Sequence, residues 1–128
     1  IAPNIYGFVN YTLNSPRIER DLNPAVVGKE LRFSGGDKIG IGLSYENPFG
    51  WYGSLALNSL SGYPTNNENT EFLPGFTSFD ANFVAPLNSD SSLTLNASVQ
   101  NIFDQRYELF AGFPDAGRTF RTGIDWKF

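Results

Sequence analysis

Six runs of this chain alternate apolar and polar residues with a period of two, and that alternation limits the fold more than any other feature. A pleated strand points successive side chains to opposite faces, so each run divides into an apolar and a polar surface. In the last run Phe120, Thr122, Ile124, Trp126 and Phe128 share one face, while Thr119, Arg121, Gly123, Asp125 and Lys127 share the other. The pattern predicts strands near 4–14, 38–46, 51–60, 76–86, 93–103 and 118–128. Their apolar faces carry such residues as Val9, Tyr11, Ile39, Leu43, Leu55, Phe79, Phe83, Leu95, Val99 and, at the end of the fifth run, Phe103.

Charge respects the same division. Lys38, Glu46, Asp80, Arg121, Asp125 and Lys127 all fall on the polar faces. A Lys or Arg on the lipid face at mid-bilayer costs roughly 2–4 kcal/mol, so this segregation predicts lipid against the apolar face and a wet lumen against the other. Asp80 and Asp125, with Arg121 and Lys127, are expected to form a charge-balanced lumen. Gly40, Gly42 and Ser44 leave room on the lumenal side for something else inside the barrel, or for the close approach of another backbone.

The connections alternate too. Those after the first, third and fifth runs span about 23, 15 and 14 residues, whereas Glu46–Gly50 and Pro86–Ser92 are short turns. Transmembrane barrels have short turns on the periplasmic side and long loops outside. The expected fold is therefore all-β, an antiparallel up-and-down segment of a transmembrane β-barrel, with the loops 15–37, 61–75 and 104–117 together at one end. The first and second of these loops read as solvated. Nothing periodic supports a short helix over Leu22–Val27, and the Asn66–Glu71 oxygens lack the spacing of a calcium loop. Closed membrane barrels start at eight strands, so six should leave edges that need other strands or another chain.

Composition agrees with this. Aromatics make up 16% of the 128 residues and charged residues only 17%, with 13 Gly. Mean hydropathy is −0.25, and the sequence has no run of the roughly 18 apolar residues that a membrane helix needs. A net charge of −4 without a basic patch argues against nucleic acid. With no Cys and no His, thiolate metal sites and the usual nucleophile–base triads are excluded, so no enzyme, cofactor or metal is expected. The chain starts at Ile1 and holds no Met, which leads us to expect a C-terminal fragment or another portion of a longer protein.

One stretch carries a resemblance. Asn101-Ile102-Phe103-Asp104, then Tyr107, the Gly112-Phe113-Pro114 turn and Gly117-Arg118-Thr119-Phe120, closing on Phe128, resemble the end of TonB-dependent outer-membrane receptors. In that family the Asn-hydrophobic-Phe-Asp element ends the penultimate strand and Pro-x-x-Gly-Arg opens the last. The resemblance implies that 1–128 is the C-terminal part of a barrel of about 22 strands around a plug domain absent from this sequence. It also implies a bacterial outer-membrane location and energised uptake of a scarce ligand such as an iron–siderophore complex, haem or cobalamin. The implied partners are outer-membrane lipid, the remaining strands and plug, the TonB complex and the barrel assembly machinery. Phe120, Ile124, Trp126 and Phe128 are similar to the assembly signal of such barrels. The Pro114-to-Arg118 form is nearer to cobalamin, haem and catecholate receptors than to many ferric-siderophore ones. Two other functions fit the alternation: a passive porin, and a soluble β-barrel that packs its apolar faces inward around a hydrophobic ligand.

Overall fold

A computed structural model describes residues 4–128. Its main body is one antiparallel sheet of six long strands: β1 (Ile5–Thr12), β2 (Lys38–Glu46), β3 (Tyr52–Leu60), β6 (Phe76–Pro86), β7 (Leu93–Gln100) and β10 (Thr119–Trp126), neighbouring in that order. Between them lie two small hairpins, β4 (Tyr63–Pro64) with β5 (Phe72–Leu73), and β8 (Glu108–Phe110) with β9 (Phe113–Pro114). The loop after β1 holds a 3-10 turn at Pro24–Val26, capped by the Asn23 side chain, and a single bridge between Arg17 and Glu30.

The predicted division into faces holds across the whole sheet. Tyr11 lies opposite Ile39, Ile41 opposite Leu57, Leu43 opposite Leu55, Leu57 opposite Phe79, Phe83 opposite Ala97, and Leu95 opposite Ile124. Directly opposed residues share a face, so six local alternations merge into one continuous apolar surface. Among the described residues only single rings at its margins, Trp51 and Phe103, lie against it. The buried apolar side chains are Ile18, Val26, Tyr63, Leu73 and Pro64, all in the long connections. β1 and β10 occupy the two edges and do not pair with each other, so the sheet is open, as six strands should be.

Two strands end a little inside their expected spans. β1 stops at Thr12 and β7 at Gln100. The fifth strand is shorter than predicted because Asn101 turns the chain with a positive φ of 53°, which ends the ladder. Phe103 is thus not a strand residue, although its ring still meets that of Phe79 edge-on at 5.1 Å. The room left beside Gly42 is taken by the Phe8 ring, which crosses from β1 over the bare backbone so that a Cβ at 42 would lie 2.0 Å from it.

The loop 61–75 is not simply solvated. Tyr63, Pro64 and Leu73 are buried, and Asn69 ties this loop to the first by donating to the Glu30 carbonyl at 2.9 Å and accepting from its N–H at 2.9 Å. Lys29 donates to the Glu68 carbonyl at 2.7 Å, and the Phe33 N–H to that of Pro64 at 2.9 Å. Apolar residues that look stranded in a polar loop are burying one another.

The base of this hairpin depends on Gly75. A Cβ there would stand 2.5 Å from the Leu60 carbonyl oxygen and 2.9 Å from the Gly62 nitrogen, both fixed backbone. Gly75→Ala should therefore destabilise the loop by roughly 1–3 kcal/mol, the range for overpacking. Faster protease cleavage within 61–75 of the folded full-length protein would measure it. Unchanged cleavage would show that the two backbones separate at little cost.

Candidate functional site

The residues singled out at 101–118 converge on one small knot between the ends of β7 and β10. Asn101 is 3% exposed and supplies its centre. Its side-chain amide donates to the Gln105 carbonyl at 2.9 Å, its oxygen accepts from the Gln105 N–H at 2.9 Å, and its own carbonyl accepts from the Asp104 N–H at 2.9 Å. A side chain that reaches back to its own turn explains why Asn, which tolerates positive φ, stands here. The Ile102 N–H then extends pairing to β6 by donating to the Phe79 carbonyl at 2.8 Å.

Asp104 closes the knot across the loop. Its carboxylate accepts from the Arg118 N–H at 2.8 Å, and Arg118 Nη1 donates to the Ile102 carbonyl at 3.3 Å. Gly117 must be glycine for two reasons. Its φ is +76°, and a Cβ would sit 2.7 Å from Asp104 Oδ1, where it would break that bond. The Arg118 guanidinium lies 5.6 Å from the centre of the Phe120 ring. Asn101, Ile102, Asp104, Gly117 and Arg118, scattered over 18 positions of sequence, are thus one hydrogen-bonded unit.

Asp80 is tied into this knot. Its carboxylate accepts from the Asn101 N–H at 2.9 Å and from the Asn58 amide at 3.1 Å. Asp125 likewise takes its partner from the Asn96 amide. Both acids thus have amide partners, which adjacent strands place directly alongside. Arg121 lies opposite Ser98 in the ladder, and the Lys127 N–H donates to the Ser92 carbonyl at 2.8 Å. Phe120, Ile124 and Trp126 share the apolar face, 64–70% exposed, and the Trp126 and Phe128 rings meet at 6.1 Å.

From the knot the third loop turns inward over the polar face. The Tyr107 ring stacks on Phe76 at 3.7 Å, almost parallel to it. The Tyr63 hydroxyl donates to the Leu109 carbonyl, and the Phe33 and Phe110 rings lie 6.3 Å apart. All three long loops are hence bound together at one end of the sheet. Sequence reading missed Tyr63, Gln105 and Phe76 in this arrangement. Tyr63 could have been found as an aromatic between Gly62 and Pro64 in an otherwise polar stretch. Gln105, whose side chain accepts from the Thr77 N–H at 3.1 Å, carries no such signal.

Burial, a hydrogen bond to Asp115 and the charges of Asp115 and Asp80 push the Tyr107 hydroxyl up to about 12. A pKa raised above the unfolded value means that the folded loop holds its proton longer. Its stabilising share is then intact below pH 10 and lost as pH climbs from about 10 to 12. The ultraviolet difference titration between the wild type and Tyr107→Phe should show this late tyrosinate. A transition near pH 10 would mean that the stack opens freely.

Among the described residues no group of three or more acidic, His or Cys side chains is placed to hold a metal ion. No family model and no curated protein matches this chain. Solved structures do match. The ferric citrate transporter FecA in its unliganded form superposes with a TM-score of 0.84 at 22% identity over 98% of this chain and 21% of that one. BauA, the ferric preacinetobactin receptor from Acinetobacter baumannii, gives 0.87 at 18% identity over 99% of this chain and 20% of its own. The copper transporter OprC gives 0.75 at 21% identity over the whole chain and 22% of its own. The chain has the fold of a segment of such a receptor barrel. It spans about a fifth of the length of these proteins. In fold, the resemblance to TonB-dependent receptors expected from 101–128 is met.

Proposed function

We propose that residues 1–128 are the C-terminal part of a TonB-dependent outer-membrane receptor for uptake of a scarce ligand, an iron–siderophore complex first among them. One observation carries the reading: an apolar face runs across six strands and stays largely open, while the hairpin of the third loop folds over the opposite, polar face. A soluble protein would have to bury that face, whereas a bilayer supplies the cover. This disfavours the soluble ligand-binding alternative. The knot at Asn101–Arg118 favours a receptor over a passive porin, since the resemblance to receptors rests on those residues. In this reading the chain binds and moves a ligand and catalyses nothing. Its partners are lipid, the missing strands and plug, the TonB complex and the assembly machinery.

The test uses the whole protein in its cells. Protease added outside should cut first within 15–37, 61–75 or 104–117, and uptake of a radiolabelled ferric chelate should stop when the proton-motive force is collapsed. Cleavage at 46–50 or 86–92 first would invert the topology. Uptake that survives the collapse would make the protein a passive pore.

Phe128, with Trp126, Ile124 and Phe120 behind it on the lipid side, is in this proposal the signal read by the assembly machinery. Phe128→Ala should lower the amount of protein recovered in isolated outer membranes several-fold more than Lys127→Ala does. Equal recovery would reduce Phe128 to ordinary lipid-facing bulk.

A further inference from the structure

The loops 15–37 and 61–75 hold one another in a way that neither holds the third. Within the first, the Ile18 N–H donates to the Lys29 carbonyl at 2.9 Å, that of Gly28 to Ile18 at 2.8 Å and that of Leu31 to Pro16 at 2.9 Å, which makes a small hairpin. Within the second, the Thr65 N–H donates to the Glu71 carbonyl at 2.9 Å beside the β4–β5 pair. The Asn69 carboxamide joins the two hairpins. It donates to and accepts from one residue, Glu30, as the peptide group of a neighbouring strand would. A φ of 54° and a further bond from its amide to the Asn66 carbonyl at 3.2 Å accompany that placement. Lys29 on the Glu68 carbonyl, the Arg32 N–H on Asn67 Oδ1 and the Phe33 N–H on Pro64 continue the seam.

Burial follows the same boundary. The first loop contributes Ile18 and Val26 and the second Tyr63, Pro64 and Leu73, whereas the third contributes no buried apolar side chain. The third loop meets the other two, among the described residues, through one hydrogen bond from the Tyr63 hydroxyl to the Leu109 carbonyl and the tilted Phe33–Phe110 pair. Its other anchors, Tyr107 on Phe76 and Gln105 on Thr77, stand on the sheet.

Segments that share a core and a seam of hydrogen bonds open together, whereas one held by a single neutral bond opens alone. We propose that 15–37 and 61–75 form one cooperative body that opens and closes as a unit, with the Asn69 carboxamide as its joint, and that the β8–β9 hairpin is a separate flap resting on it. A displacement of either of the first two loops then carries the other with it, and the flap can lift while both stay closed. None of this depends on the receptor reading.

Hydrogen exchange of the full-length protein in detergent, resolved to single amides, tests it. Asn69→Gly tolerates the positive φ and removes the carboxamide. It should speed exchange about tenfold or more at Ile18 and Gly28, which are bonded only inside the first loop, and by the same factor at Thr65 in the second. The Asp115 N–H, bonded to the Tyr107 carbonyl in the third loop, should change less than about threefold. Coupling is reciprocal, so Lys29→Ala, a milder loss at the exposed seam, should speed Thr65 and Ile18 by one common, smaller factor. Tyr63→Phe should speed exchange within 108–114 and leave Ile18 and Gly28 nearly as they were. Ile18 and Gly28 unmoved by Asn69→Gly, or Thr65 unmoved by Lys29→Ala, would overturn the shared body. An equal rise in all three loops, or no change within 108–114 on Tyr63→Phe, would overturn the separate flap.

Discussion

Arginine in place of Leu55 should cost the folded full-length barrel roughly 2–4 kcal/mol, while arginine in place of the adjacent Ala56 should cost far less. The two positions are neighbours at the middle of β3, and only the face differs. Leu55 lies opposite Leu43 and Ala81 on the apolar surface, whereas Ala56 lies opposite Gly42 and Asp80 on the polar one. In lipid a guanidinium at 55 would have to be carried by hydrocarbon, and one at 56 would enter water beside a carboxylate. Reversible urea unfolding in phospholipid vesicles measures both. Equal penalties, or the larger one at 56, would mean that the apolar face does not meet a membrane.

Loss of the Asn101 side chain should be the other large effect. Asn101→Ala removes two hydrogen bonds to Gln105 at a buried site and leaves Gln105 groups unsatisfied, while the new residue must still hold a φ of 53°. Each stranded buried group costs about 1–3 kcal/mol, so a total of roughly 2–4 kcal/mol is expected. Asn101→Gly relieves the backbone but not the bonds and should recover only a part. The same unfolding measurement decides. A loss under about 0.5 kcal/mol, the usual size for an unremarkable surface position, would mean that Asp104 and Arg118 hold the turn without Asn101.

The sheet was legible in sequence because a period of two is a local property, written in each strand without reference to its neighbours. Ile39, Ile41, Leu43 and Tyr45 announce a strand and its faces together, and hairpin connection does the rest. The knot was legible as a set of residues and not as a mechanism. Nothing in the spacing of Asp104 and Arg118 says that a carboxylate accepts from a backbone N–H across the loop. The loops misled most. Contacts such as Asn69 with Glu30 join positions 39 apart, and Tyr63 with Leu109 joins positions 46 apart. Pairings over that distance leave no periodic trace.

The bond between Asp104 and the Arg118 N–H has a consequence for variation. It fastens the third loop at its neck, so β7 and β10 keep their register whatever the chain does between those two residues. Doubling the length of a flexible loop whose ends are already fixed costs only about 0.6 kcal/mol. The exposed tip around Ala111 and Gly112 is therefore free to lengthen, shorten or change its sequence without disturbing the wall that carries it. A sheet fastened in this way can acquire a new loop over its polar face without any change to its strands.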